Sequence, residues 1–239
     1  MADTPPDLGH VRDWVFDLDN TLYPARTVFP EMDRRMTQFV AGYLGIGHDE
    51  ALAIQKRYYA EHGNTLRGMM ERHRMAPGGF LHHVHEIDLS AVPRCDLLAS
   101  AMGRLEGRKF IYTNGSKRHA ERMAVHLGID HLLEGISGIE DGGYRPKPEP
   151  QAYRTFCDTH SIEPQQAIFF EDMSRNLLPA HEMGFTTVLV TAHDIPPGEP
   201  KIAHDRPAGD DRAPHIHYLT SDLAAFLDTA ASSSPKSQD

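Results

Sequence analysis

Three short apolar runs, each stopped by polar residues, constrain the fold more than any other feature of this chain. They are Trp14-Val15-Phe16 before Asp17, Phe110-Ile111-Tyr112 before Thr113-Asn114, and Ala167-Ile168-Phe169-Phe170 before Glu171-Asp172. Short apolar runs of this kind read as strands buried on both faces. A fourth, Thr186-Thr187-Val188-Leu189-Val190, follows the helix-stop signal Met183-Gly184 and is rich in β-branched residues. Weaker runs at His215 to Leu219 and Gly135 to Ile139 are candidate edge strands. Amphipathic helical patterns lie between the runs, at Lys117 to Leu127 closed by Gly128, at Pro150 to His160 and at Asn176 to Met183. Strands alternating with such helices predict an α/β fold with a parallel sheet. Right-handed crossovers then gather the carboxyl ends of the strands along one edge, where ligands bind in such folds.

The stretch after the first run has a different character. It holds helical patterns at Pro30 to Leu44, Asp49 to His62 and Thr65 to Arg74, and almost no β-type run. Residues 23–97 therefore read as a helical cap inserted after the first strand. Residues 1–22 and 98–239 form the discontinuous α/β core. Residues 231–239, ASSSPKSQD, are small and polar and read as a disordered tail, and Pro196 to Pro214 as a second mobile stretch.

Composition narrows the function classes. A 239-residue chain that is 40% hydrophobic can bury a real core. It has no run near the ~20 apolar residues that span a bilayer, and MADTPPDLGH lacks the features of a secretory leader. A soluble cytoplasmic protein is expected. Cys95 and Cys157 suggest neither a disulfide framework nor a thiolate metal site. A formal charge of -10 argues against nucleic acid as a partner, because displacing counterions from phosphates needs a basic footprint. A small anion can still be held where lysine, metal and backbone amides converge.

Candidate chemistry sits at the strand ends. Asp17 and Asp19 are two residues apart, so on an extended strand both carboxylates face one pocket. Mg²⁺ relieves their repulsion by taking carboxylate oxygens and keeping waters and phosphate as its other ligands; a plain turn-capping pair is the competing reading. Thr113 and Asn114 offer a hydroxyl and an amide to phosphoryl oxygens, or else form a turn and helix cap. Lys147 lies in the stiff segment Arg145-Pro146-Lys147-Pro148-Glu149-Pro150, which suits a point charge held beside a phosphate. Glu171 and Asp172 can complete a hard-cation site.

Taken in order, these four motifs resemble those of the haloacid dehalogenase-like phosphatases, over about residues 12 to 192. The resemblance implies a Rossmann-like core and a Mg²⁺-dependent phosphomonoesterase. Asp17 would be the nucleophile and Asp19 the general acid and base. Thr113 and Asn114 with Lys147 would hold the phosphoryl group, and Asp17, Asp19, Glu171 and Asp172 the metal. Dehalogenases of the superfamily typically lack the second aspartate. Many members also carry a further acid shortly after the one matching Asp172, whereas here Ser174, Arg175 and Asn176 follow.

The cap segments YYAEHGNTLRGMM and FLHHVHEIDLS, with FDLDNTLYP before them, resemble the pyrimidine 5'-nucleotidase branch of that family. This implies a nucleoside monophosphate such as UMP or CMP as the small phosphorylated partner. Arg67, Gly68, Tyr23 and His83 become candidate substrate residues, against readings as exposed or packing side chains. Among His82, His83 and His85 only the first and last share a helical face, and no third zinc ligand accompanies them. A sugar phosphate or pyridoxal phosphate is the alternative substrate. A non-catalytic module read through a phosphorylated aspartate is the alternative class.

Overall fold

The computed structural model describes residues 8–192 and 213–233. Six strands form one parallel sheet in the order β3-β2-β1-β4-β5-β6. They are β1 (Asp13–Phe16), β2 (Arg108–Tyr112), β3 (Gly135–Ser137), β4 (Ala167–Glu171), β5 (Thr186–Val190) and β6 (Tyr218–Thr220). The fold is thus the α/β, Rossmann-like arrangement expected from the alternation of runs. The two weak runs are its edge strands β3 and β6, which explains their feeble patterns.

Register explains why the polar strand ends meet. Phe16 pairs with Ile111 on one side and Phe170 on the other. The next residue of each strand is therefore Asp17, Tyr112 and Glu171, side by side at one level. The chain order reverses on either side of β1, and that reversal opens a crevice at the carboxyl ends of the strands. One face of the sheet buries Trp14, Phe16 and Phe170, with the Phe16 and Phe170 rings stacked at 4.9 Å. The other buries Val15, Phe110, Tyr112, Phe156 and Phe169. Truncating a fully buried Phe16 to alanine costs about 3–5 kcal/mol by loss of transfer energy and creation of a cavity.

Four helices fill the interval after β1: α1 (Phe29–Leu44), α2 (His48–His62), α3 (Thr65–His73) and α4 (Pro77–His85). The α1 and α2 helices end at left-handed Gly45 and Gly63, and Asn64 caps α3 by accepting from Arg67 N at 2.8 Å. The apolar faces of these helices join the core that covers one face of the sheet, through Met32, Val40, Phe80, Leu81 and Val84. The remaining helices are α5 (Asp96–Arg104), α6 (Lys117–Leu127), α7 (Pro150–His160), α8 (Ser174–Met183) and α9 (Leu223–Ser233).

One expectation needs correction. Ala231 to Ser233 belong to α9 and not to a tail, because Leu223, Leu227 and Ala230 bury a helical stripe that carries the last turn with it. Residues 234–239, and most of Pro196 to Pro214, lie outside the described residues. The helical spacing read at His82 and His85 belongs to the helix Pro77–His85, where Pro77 at the first turn starts it and Phe80, Leu81 and Val84 bury one side.

Candidate active site

Lys147 organises the tip of β1. Its ammonium donates to Asp17 Oδ1 at 2.5 Å, Glu171 Oε2 at 2.7 Å and the Tyr112 carbonyl at 3.0 Å, which uses all three of its protons. Burial pulls the lysine down, but Asp17 and Glu171 outweigh it and hold the ammonium above its ordinary value. Its backbone is fixed as well: Lys147 N donates to Asn114 Oδ1 at 2.7 Å, and Asn114 Nδ2 donates to Lys147 O at 3.2 Å. Asn114 therefore secures the lysine loop, and its second amide proton is left over at the cavity that Asn114 lines. Thr113 lines the same cavity and accepts from Gly115 N at 2.9 Å, which leaves its hydroxyl proton to donate.

Asp17, Glu171 and Asp172 each place a carboxylate oxygen within 4.8 Å of the others, and all three residues are buried. One lysine does not neutralise three carboxylates. Burial pushes Asp17 up to about 8, with Glu171 adding to the rise and Lys147 opposing it. Burial and the Glu171 charge likewise raise Asp172 well above the carboxylate range. Asn176 Oδ1, buried and without a hydrogen-bond partner, lines the same cavity. Three crowded carboxyl groups whose ionisation burial opposes, hard oxygen donors and an orphaned acceptor together fit a divalent cation such as Mg²⁺.

Asp19 is not part of that cluster. The loop after β1 turns back on itself through Asn20, whose φ of 59° is tolerated by asparagine, and the backbones of Asp19 and Tyr23 bridge. The turn aims Asp19 Oδ1 at the Tyr23 hydroxyl, which donates to it, and places it 3.9 Å from His119 Nε2. Burial acts to raise Asp19, but the nearby His119 ring and the Tyr23 hydroxyl outweigh it and hold the carboxyl below its ordinary value. The two aspartates line one cavity but make different contacts, Asp17 with Lys147 and Asp19 with Tyr23.

A cavity of about 200 Å³ runs from these groups up between the sheet edge and helices α1 to α4. Phe29, Met32, Met36, Phe80, Leu81 and Val84 form an apolar wall, and Asp33, Gln55, Lys56, Tyr59, Asn64 and Arg175 supply its polar positions. Two links join the helical insertion to the core beside it. Arg175 donates to Tyr59 OH at 3.0 Å, and Arg67 pairs with Glu149.

None of the four substrate candidates lines the cavity. Tyr23 is 1% exposed and turned to Asp19. Arg67 is bound by Glu71 and Glu149 on the outer side. Gly68 is glycine because a Cβ there would lie 2.4 Å from the Tyr58 ring. His83 packs on Phe39, ring centroids 5.6 Å apart. The cavity residues that were missed come from the inner sides of α1, α2 and α4 and from the start of α3. Their helical periodicity was legible, but the side turned to the sheet edge was not.

Residues 14–184 match the haloacid dehalogenase-like hydrolases, and the chain belongs to that family. Among characterised proteins, it is 38% identical over 85 residues to validoxylamine A 7'-phosphate phosphatase of Streptomyces hygroscopicus subsp. limoneus. That match covers 35% of this chain and 39% of the relative. It is 27% identical over 201 residues to phosphate metabolism protein 8 of Saccharomyces cerevisiae, covering 75% of this chain. The matched stretch there spans 61% of the yeast protein, so in both cases it falls short of two thirds of the relative. A solved structure of a predicted phosphoglycolate phosphatase from Haemophilus somnus 129PT shares the fold, with a TM-score of 0.58 and 17% identity. It covers 92% of this chain and 98% of that one. Among the described residues, no helix is long and apolar enough to cross a membrane.

Proposed function

We propose that this protein is a Mg²⁺-dependent phosphomonoesterase working through a phosphorylated aspartate. The observation that carries the reading is the buried Asp17–Lys147–Glu171–Asp172 cluster lining one cavity with a differently held carboxylate, Asp19. Asp17 attacks phosphorus in line, forming the acyl phosphate as the ester P–O bond breaks. Asp19, protonated, delivers its proton to the departing alkoxide. It then removes a proton from the water that splits the acyl phosphate, which regenerates Asp17 and releases inorganic phosphate.

The resting carboxylate of Asp19 suits this second step. A phosphate dianion brought close raises its proton affinity by like-charge repulsion, which suits the first. Lys147 aligns Asp17 and offsets charge at the phosphoryl oxygens, while Thr113 donates to one of them. Asp17, Glu171 and Asp172 would hold the cation, which when bound supplies further charge stabilisation and orients the phosphoryl group.

The substrate reading is a nucleoside monophosphate of the pyrimidine type. Its support is the apolar wall of Phe29, Met32, Met36 and Phe80, which suits a flat base, with Lys56, Tyr59 and Asn64 among the polar residues that line the same cavity. Phosphate release from UMP, CMP, purine monophosphates, phosphoglycolate, sugar phosphates and pyridoxal phosphate, with and without Mg²⁺, tests both levels. Cation-dependent turnover led by UMP and CMP is expected. A preference for phosphoglycolate or hexose phosphates removes the nucleotide assignment, and no turnover of any ester removes the phosphatase.

A further inference from the structure

Asp19 must present one carboxylate oxygen to a leaving group, yet an aspartate on a loop has free χ rotation unless something holds it. The structure supplies a buried holder. Tyr23, 1% exposed, donates its hydroxyl proton to Asp19 Oδ1. His119, fully buried on the first turn of α6, brings Nε2 to 3.5 Å from the Tyr23 oxygen and 3.9 Å from Asp19 Oδ1. Because Tyr23 gives its only proton to Asp19, its oxygen can only accept from His119. That places the imidazole proton on Nε2. His119 Nδ1 has no partner, in keeping with this tautomer.

Neither residue is placed by chance of the surface. Tyr23 is set by the turn at Asn20, whose side chain accepts from Ala25 N at 3.1 Å. His119 is set by the Ser116 cap, which accepts from His119 N at 3.2 Å. From the helical insertion, His85 of α4 stacks on the His119 ring at 4.9 Å and 21°. His85 is itself fixed through Nδ1 to the Leu81 carbonyl at 3.1 Å. The imidazole of His119 is thereby closed in from the lid side.

We infer that Tyr23 and His119 are positioning residues that hold the Asp19 carboxyl in line with the leaving-group oxygen, with His85 closing the assembly from the cap. The inference rests on the phosphomonoesterase reading of the site. It assigns to Tyr23 a task in the reaction rather than in substrate choice, and to His119 and His85 a task the sequence motifs do not mark.

The test compares two esters by kcat/KM, which reports the steps up to leaving-group departure. An alkyl phosphate needs a proton at its oxygen, whereas p-nitrophenyl phosphate leaves as a stable anion and does not. In Tyr23→Phe and His119→Gln, the alkyl-to-nitrophenyl ratio is expected to fall at least about tenfold, the scale of losing one hydrogen bond to a charged group. Asp19→Asn lowers the same ratio further, and thermal melting checks that each variant is folded. Tyr23→Phe removes a single oxygen from a well-packed ring, so it keeps the test open if the histidine variant unfolds. A ratio unchanged within about twofold in a folded Tyr23→Phe, both esters slowing together or neither, overturns the positioning role and leaves the phosphatase reading intact. Wild-type protein that hydrolyses neither ester overturns both.

Discussion

The ammonium of Lys147 lies 2.5 Å from Oδ1 of Asp17, and both groups are buried. That contact joins the loop ahead of α7 to the tip of β1, and it is the internal cation of a three-carboxylate cluster. Replacing Lys147 with methionine leaves Asp17, Glu171 and Asp172 without it. We expect a loss of about 3 kcal/mol of stability without divalent cation, the scale of breaking a buried ion pair from one side. Urea denaturation with and without Mg²⁺ measures it, and Mg²⁺ should recover much of the loss. Equal stability of variant and wild type would contradict the electrostatic account.

Cation binding should release protons. Asp17 is pushed up to about 8 by burial and by Glu171, so near neutral pH it is largely protonated before a cation arrives. Affinity for Mg²⁺ therefore rises as pH climbs toward 8 and levels off above it. Titration calorimetry in two buffers of different ionisation enthalpy reads the protons directly. No buffer dependence at pH 7 would count against Asp17 as a ligand.

Acid should loosen the contact between helices α4 and α6. Burial lowers His85 from 6.5 to about 3, with the Asp19 carboxylate opposing. A histidine kept neutral by folding contributes stability that is fully present above 6.5. That stability is lost as pH falls through 6.5 toward 3, because the unfolded chain takes up the proton first. The slope from this one group is at most about 1.4 kcal/mol per pH unit. Melting curves across that range should flatten in His85→Phe relative to wild type; an unchanged slope refutes the assignment.

Arg67 sits outside the cavity in surface pairs with Glu71 and Glu149. Arg67→Ala should lower stability by about 0.2–1 kcal/mol and leave the order of preferred substrates intact. Phe80→Ala, which opens the apolar wall, should instead change that order. Substrate panels on the two variants decide between them, and a reversed result would return Arg67 to the substrate site.

The sequence made the sheet legible because apolar runs that end in charge say where a strand is buried and where it stops. Glu171 and Asp172 were readable for the same reason. Tyr23 was not, since an aromatic beside a proline gives no sign of the side it faces, and only the turn at Asn20 directs it to Asp19. His119 was hidden inside an ordinary amphipathic helix. Asn114 was read as a ligand for phosphate, but its bond to a backbone 33 residues away was not read. A contact of that range is set by packing and leaves no local pattern.

The central claim is a phosphoryl group carried on Asp17. Acid-quenching the enzyme during turnover of a hydrolysed ester, followed by mass spectrometry of the peptide containing VFDLDNTLYP, tests it most directly. A phosphoryl adduct on Asp17 that is absent in Asp17→Asn, with turnover abolished in that variant, is the predicted result. Sustained turnover in Asp17→Asn, or an adduct on another residue, would contradict it.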